Sequence, residues 1–326
     1  MNIVFLLGNG FDINLGMKTG YKDFYKNAYK PQAGDSELIK KLKKKIENDI
    51  ETWADLETKL GLYTEELKNR EEFFYVFNDI REKLAAYISQ QDDLFLDKAS
   101  YKNKFLENMR FPYNFLTDGE KEIFTRFIKG FTFSSISVNA ISFNYTRSLE
   151  KIIDYNGEKI KIENVGNTPS HFFKIEHIHG FTDNRFVLGV DRVEQIANES
   201  FRTDGDILDS FIKPRSNAAA QHLCDNRCKK LIDNAQVICT FGMSIGETDR
   251  TWWEYIGNKI GNGSARLIIF WFSEKTISPQ FPDVELRAKN SVKEQFLSMT
   301  SFTKSSKEKI SPLIHIAYNS EIFGLK

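Results

Sequence analysis

Three cysteines in 326 residues are too few for a disulfide framework, which points away from an oxidising compartment. Net charge is missing as well. Forty-five Lys and Arg cancel 45 Asp and Glu, which excludes a uniformly basic nucleic-acid surface but permits a local basic patch. Beyond the amino terminus the longest apolar run, Leu267 to Phe272, falls far short of the roughly twenty residues of a membrane helix. There is no internal repeat and no low-complexity linker. A content of 41% hydrophobic and 28% charged residues is that of a folded globular chain, so disorder and fibrous architecture are excluded too. Met1 to Leu7 is apolar but has no basic leader and runs straight into Gly8, so it reads as a buried strand rather than a secretory signal. These absences together predict a cytoplasmic protein without a membrane partner.

The length suits two domains or one elaborated α/β domain. Short apolar runs that read as buried parallel strands lie at Asn2 to Leu7, Val138 to Phe143, Phe173 to Ile178, Phe186 to Val190, Gln236 to Phe241, Arg266 to Phe272 and Leu313 to Tyr318. Helical segments alternate with them at Thr146 to Tyr155, Ala218 to Asn234, Thr248 to Ile260 and Val284 to Met299. This alternation predicts an α/β fold with a Rossmann-like, doubly wound, mostly parallel sheet built from residues 1–35 and 130–326. The interval 36–129 breaks the rhythm: Leu38, Leu42, Ile46 and Ile50, then Phe73, Phe77, Ile80 and Leu84, recur at helical spacing, which predicts a helical insertion. The lysines from Lys40 to Lys45 fit a solvated basic helix face better than a phosphate-binding patch.

Four places can carry chemistry. The first strand ends in Gly8-Asn9-Gly10-Phe11-Asp12, a tight turn able to present backbone amides to a phosphate, although the third glycine of the usual dinucleotide spacing is lacking. Phe143-Asn144-Tyr145-Thr146 puts a polar amide at a strand's carboxyl end, where open α/β sheets bind ligands; Asn144 or Thr146 would equally serve to cap the next helix. In His177-Ile178-His179-Gly180, strand alternation sets both imidazoles on one face, suited to proton transfer near neutral pH or to metal binding. Finally, Phe241-Gly242-Met243-Ser244-Ile245-Gly246-Glu247-Thr248-Asp249 joins a strand to a helix. Ser244 lacks the setting of a nucleophile elbow, and Asp249 caps that helix or meets a ribose hydroxyl. Cys224 and Cys228 stand four apart on a helix and Cys239 in a strand, so no four-cysteine zinc site can form.

In this order the motifs, with Gly16, Tyr21 to Phe24 and Trp53-Ala54-Asp55-Leu56-Glu57, resemble the AbiH family of phage abortive-infection proteins over nearly the whole chain. The glycine loop, the Asn-Tyr and His-Gly pairs and the late Gly-x-Ser loop are also remotely similar to the sirtuin-like NAD-binding fold. That similarity implies an antiphage effector that hydrolyses NAD. It makes His179 and Asn144 catalytic, and gives Gly8, Asn9, Gly10, Gly242, Ser244 and Asp249 to nucleotide binding. Asp12 stands where such loops carry a small hydroxyl residue; it would stabilise positive charge on the ribose. Deacylation is not implied, because the paired Cys-x-x-Cys zinc module is missing. NAD or a related nucleotide is then the partner, no metal is expected, and self-association or a regulating partner would restrain a toxic effector. Two other readings stay open. Asp12, Glu57, Asp191 and Asp249 with a histidine would hold a divalent ion for nucleic-acid cleavage if their strand ends converge. Alternatively, the chain binds a nucleotide without turnover and recruits a partner through its helical insertion.

Overall fold

A computed structural model describes residues 1–95, 99–162, 168–274 and 280–324. Seven strands form one sheet: β1 (Asn2–Leu7), β2 (Ile136–Ser142), β3 (Ile160–Ile162), β4 (Ser170–His177), β5 (Val237–Phe241), β6 (Arg266–Trp271) and β7 (Ile314–Tyr318). Their order is β3-β4-β2-β1-β5-β6-β7, and all pairings are parallel except the short edge strand β3. From β1 the chain steps outward to β2 and β4, then returns to build β5, β6 and β7 on the other side. The winding therefore reverses between β1 and β5, which is where sheets of this order receive ligands.

Both faces of the sheet are covered, which is why its strands read as continuous apolar runs. Fourteen α-helices occur among the described residues: α1 (Gly10–Asn14), α2 (Tyr21–Asn27), α3 (Glu37–Asn48), α4 (Leu56–Tyr63), α5 (Arg70–Leu94), α6 (Lys102–Arg110), α7 (Asp118–Lys129), α8 (Ser148–Ile153), α9 (Gly205–Phe211), α10 (Lys213–Ala219), α11 (Cys224–Asn234), α12 (Arg250–Gly261), α13 (Pro282–Ser298) and α14 (Lys304–Ile310). Ile3, Phe5 and Leu7 pack with α6, α7 and α8 on one face, while Val4 and Leu6 look toward α11, α12 and α13 on the other. A third core lies apart from both faces. It joins α2 through α5 to the segment from Leu188 to Ile212, and Tyr145 reaches into it from the end of β2. Residues 36–129 thus feed two cores, with Phe73, Phe77, Ile80 and Leu84 in the cap and Phe105 and Phe124 on the sheet. The basic helix face is also divided, because Lys43 turns inward to Asp35 at 2.9 Å.

Two expectations need correction. Phe186 to Val190 is not a sheet strand. Gly189 has φ +155°, and Val190 makes only an isolated bridge to Ile212, so this run belongs to the cap core. The remaining strand of the sheet is β3, whose three residues are too few to give a pattern. The helix expected over Ala218 to Asn234 is broken between α10 and α11, where Gln221 takes φ +56°.

At the reversal the β1 and β5 loops interlock backbone to backbone. Gly8 N donates to Phe241 O at 3.0 Å and Gly10 N to Gly242 O at 2.9 Å. A Cβ on Gly8 or Gly10 would lie 2.6 Å from Gly242, and Gly242 itself has φ +66° with the Phe11 amide against it. Gly242→Ala combines a left-handed backbone with a collision that no side chain can relieve. It should cost roughly 2–5 kcal/mol of unfolding free energy, measured as a shift of the urea midpoint against the wild type.

Candidate functional site

The register that builds the sheet also assembles the site. Leu7 pairs with both Ser142 and Phe241, and Ser142 pairs with His177. The residues that follow, Gly8, Asn144, His179 and Gly242, therefore leave the same carboxyl edge. Asn144 is buried; its amide is held by Ser142 Oγ at 3.2 Å, and its side-chain Oδ1 has no hydrogen-bond partner among the described residues. His179 is buried against the rings of Phe143 and Tyr145.

Beside His179, Glu57 and Asp249 meet around a lysine instead of a metal ion. Lys213, 4% exposed, places its Nζ 3.0 Å from Glu57 Oε2 and 2.9 Å from Asp249 Oδ1, and His179 Nε2 lies 3.8 Å from the same Asp249 oxygen. Each member is delivered by local structure. Trp53 and Leu56 are core residues of the cap and Asp55 caps α4 by accepting from Thr58 N, which turns Glu57 inward. Lys213 follows the bridge between Val190 and Ile212, its amide donating to Val190 O at 2.9 Å. Asp249 stands at the N-cap of α12 but bonds no helix amide, so the capping role expected of it gives way to the ion pair. A lysine before Pro214 carries no sequence signal for such a role.

Electrostatics sort these groups. Burial, with Asp249 adding to it and Lys213 opposing, raises Glu57 to about 7. Burial would also raise Asp249, but the Lys213 ammonium outweighs it and holds Asp249 below the usual carboxylate range. Lys213 stays charged: burial works against it, and Asp249 and Glu57 more than restore it. Burial and then Lys213 push His179 down to about 3, so its imidazole is neutral at physiological pH.

Asp12 lies beside Asn144, whose side chain is one of its hydrogen-bond partners. It is 1% exposed, with Oδ2 accepting from Thr146 Oγ1 at 2.7 Å and Oδ1 from Ser148 Oγ at 2.5 Å. It clamps the loop after β2 to α1, so neither Asn144 nor Thr146 caps α8, whose N-cap position is Arg147. The glycine-loop amides are also engaged: Gly8 and Gly10 bond the β5 loop and Phe11 N donates to Gly8 O, so these amides are not free to cradle a phosphate. Asn9 and Ser244 remain exposed on the rim, although the Asn9 side chain is tied to Thr19.

The two histidines do not share a face. β4 ends at His177, whose Nε2 lies 2.6 Å from Glu150 Oε1 and whose Nδ1 meets Asn144 O at 3.2 Å, while His179 lies past the strand end near Asp249. Nor do the four carboxylates converge. Asp191 accepts from Thr251, Asp12 from Thr146 and Ser148, and the two that do meet enclose Lys213. Among the described residues no group of three or more His, Cys, Asp or Glu is arranged to hold a metal ion.

A family model described as bacteriophage abortive infection AbiH matches residues 4–271. The chain belongs to the AbiH family. An antiphage, abortive-infection role goes with that membership. No curated protein matches this AbiH chain, and no helix among its described residues is long and apolar enough to cross a membrane.

Two predictions test the roles of these side chains. Lys213→Met leaves two buried carboxylates facing each other and should cost about 3–5 kcal/mol. Adding Asp249→Asn should recover part of it, with a coupling above about 1 kcal/mol in a double-mutant cycle followed by urea unfolding. Burial raises the Asp12 carboxyl from 3.8 to about 6 against the Ser148 and Thr146 hydrogen bonds. In that window the folded state holds a proton that the unfolded chain releases, so the Asp12 contribution to stability falls as pH rises. Relative to Asp12→Asn, the wild type should lose up to about 1.4 kcal/mol per pH unit across the window, read by unfolding at a series of pH values.

Proposed function

We propose that this AbiH protein acts in abortive infection by hydrolysing NAD to nicotinamide and a ribosyl product, using the groups gathered at the carboxyl edge of the sheet beneath the cap. The observation that carries this reading is the placement of Asn144 and His179 just past the ends of the neighbouring strands β2 and β4, on one edge of the sheet, with Asn144 Oδ1 buried and unpartnered among the described residues. A substrate ribose and an attacking water would supply the missing donor. This is also the pair that the remote sirtuin-like resemblance makes catalytic.

Cleavage of the glycosidic bond releases nicotinamide with the bonding electron pair and leaves an oxocarbenium-like ribose; water then adds to the anomeric carbon and its proton passes to bulk solvent. Asn144 positions that water. A neutral His179 is suited to accept a hydrogen bond from a ribose hydroxyl and so to orient the sugar, since an imidazole lowered to about 3 is a weak proton acceptor. Asp249, kept charged by Lys213, supplies the negative charge that a developing cation needs and takes over the part expected of Asp12. The pyrophosphate would run over the rim at Asn9 and Ser244. Gly8, Gly10 and Gly242 contribute close approach of the two loops rather than amide donors.

The test follows NAD over time with the wild type, His179→Ala and Asn144→Ala, each with and without EDTA, beside labelled DNA and RNA. NAD loss that survives EDTA and falls about 100-fold or more in each variant is the expected result. Unchanged NAD, or EDTA-sensitive loss of nucleic acid in its place, overturns it.

A further inference from the structure

On the far side of Asn144 the surface opens into a cleft of about 500 Å³, lined among others by Arg147, Glu150, Glu176, His177, Arg185 and Arg227. This is the size range of small-molecule sites. His179, Lys213 and Asp249 do not line it, so it is separate from the cluster beneath the cap.

Its charges are weakly committed. Arg147 sits over the Phe181 ring, 4.0 Å from its centroid, and pairs with Asp183 at 2.9 Å, a surface pair with both side chains exposed that contributes little to stability. Arg227 gives its Nε to both oxygens of Glu176, and its two terminal nitrogens have no acceptor among the described residues. Arg185 is the fixed member, bonded to Ile178 O, His177 O and Asn217. Two guanidiniums can thus turn to a dianion at little cost, and planar forks of this kind suit phosphate. A second feature is unsatisfied in the opposite sense. Glu150 places Oε1 on His177, while its Oε2 is buried with no donor. An orphaned buried oxygen of this kind is destabilising, and a hydroxyl donor would relieve it.

We propose that this cleft is a second ligand site for a small phosphorylated sugar or nucleotide, with the phosphate on Arg227 and Arg147 and a sugar hydroxyl on Glu150 Oε2. The remaining cleft carboxylate, Glu176, is neutralised by Lys174 at 2.7 Å as well as by Arg227, so it does not repel the ligand's phosphate unopposed. His177 bonds the carbonyl of Asn144, and Arg185 grips the turn that carries His179. The binding claim does not depend on the NAD reading.

The test is calorimetric titration of the full chain with ribose 5-phosphate, and separately with inorganic phosphate and with ribose. Ribose 5-phosphate should bind saturably and more tightly than either part. Arg227→Gln, at an exposed side chain, and Glu150→Gln should each weaken it about tenfold, whereas His179→Ala should bind it as the wild type does. Absence of saturable binding overturns the proposal, as does binding indifferent to both cleft variants or abolished by His179→Ala. Equal affinity for inorganic phosphate overturns the assignment of Glu150.

Discussion

A single ammonium, that of Lys213, joins the cap to the edge of the sheet, and the rest of the site depends on it. It lies between a carboxylate from the cap, Glu57, and one from the loop after β5, Asp249. Taking three such groups out of water costs several kcal/mol each, and their attraction recovers that only when the geometry is close. The cluster therefore adds little net stability; its effect is to fix position. With the ammonium at 2.9–3.0 Å from both oxygens, α4, α10 and the start of α12 have one way to fit together. Any other seating of the cap would leave a buried charge alone.

The sheet edge below is held as tightly by different means. Glycines let the β1 and β5 loops touch through their backbones, and Asp12 draws the loop after β2 onto α1 through two hydroxyls. Both devices consume polar groups that a sequence motif offers to a ligand. A Gly-x-Gly turn and a nearby carboxylate are required here for closing the structure on itself, and the group at this edge left with unsatisfied capacity among the described residues is Asn144 Oδ1.

Much of the architecture could be read from residue patterns. The runs that become β1, β5 and β6 are apolar on both faces because helices cover both faces, and the spacing of Phe73, Phe77, Ile80 and Leu84 states its helix plainly. Phe186 to Val190 misled because an apolar run of five is the same signal whether it is buried in a sheet or beneath a cap, and only Gly189, with its φ of +155°, marks the difference. Asn144 and His179 were legible as candidates, since strand ends are where polar residues stand out against apolar runs. Lys213 was not. Its partners lie 156 and 36 residues away, and no local pattern announces an ion pair that exists only when distant segments fold together.

His177 and His179 show how far two residues can separate chemical environments. The chain leaves β4 at His177, and Gly180, at φ +74°, lets it turn back so that Arg185 can bond the carbonyls of His177 and Ile178. His177 is thereby turned to a carboxylate, Glu150, beside an open cleft, whereas His179 is enclosed by aromatic rings near an ammonium. One imidazole keeps an anionic partner and access to solvent-filled space. The other has its positive form suppressed by burial and Lys213. Because His177 also bonds Asn144, a displacement on the cleft side cannot leave Asn144 untouched: the same carbonyl would have to move or lose its donor.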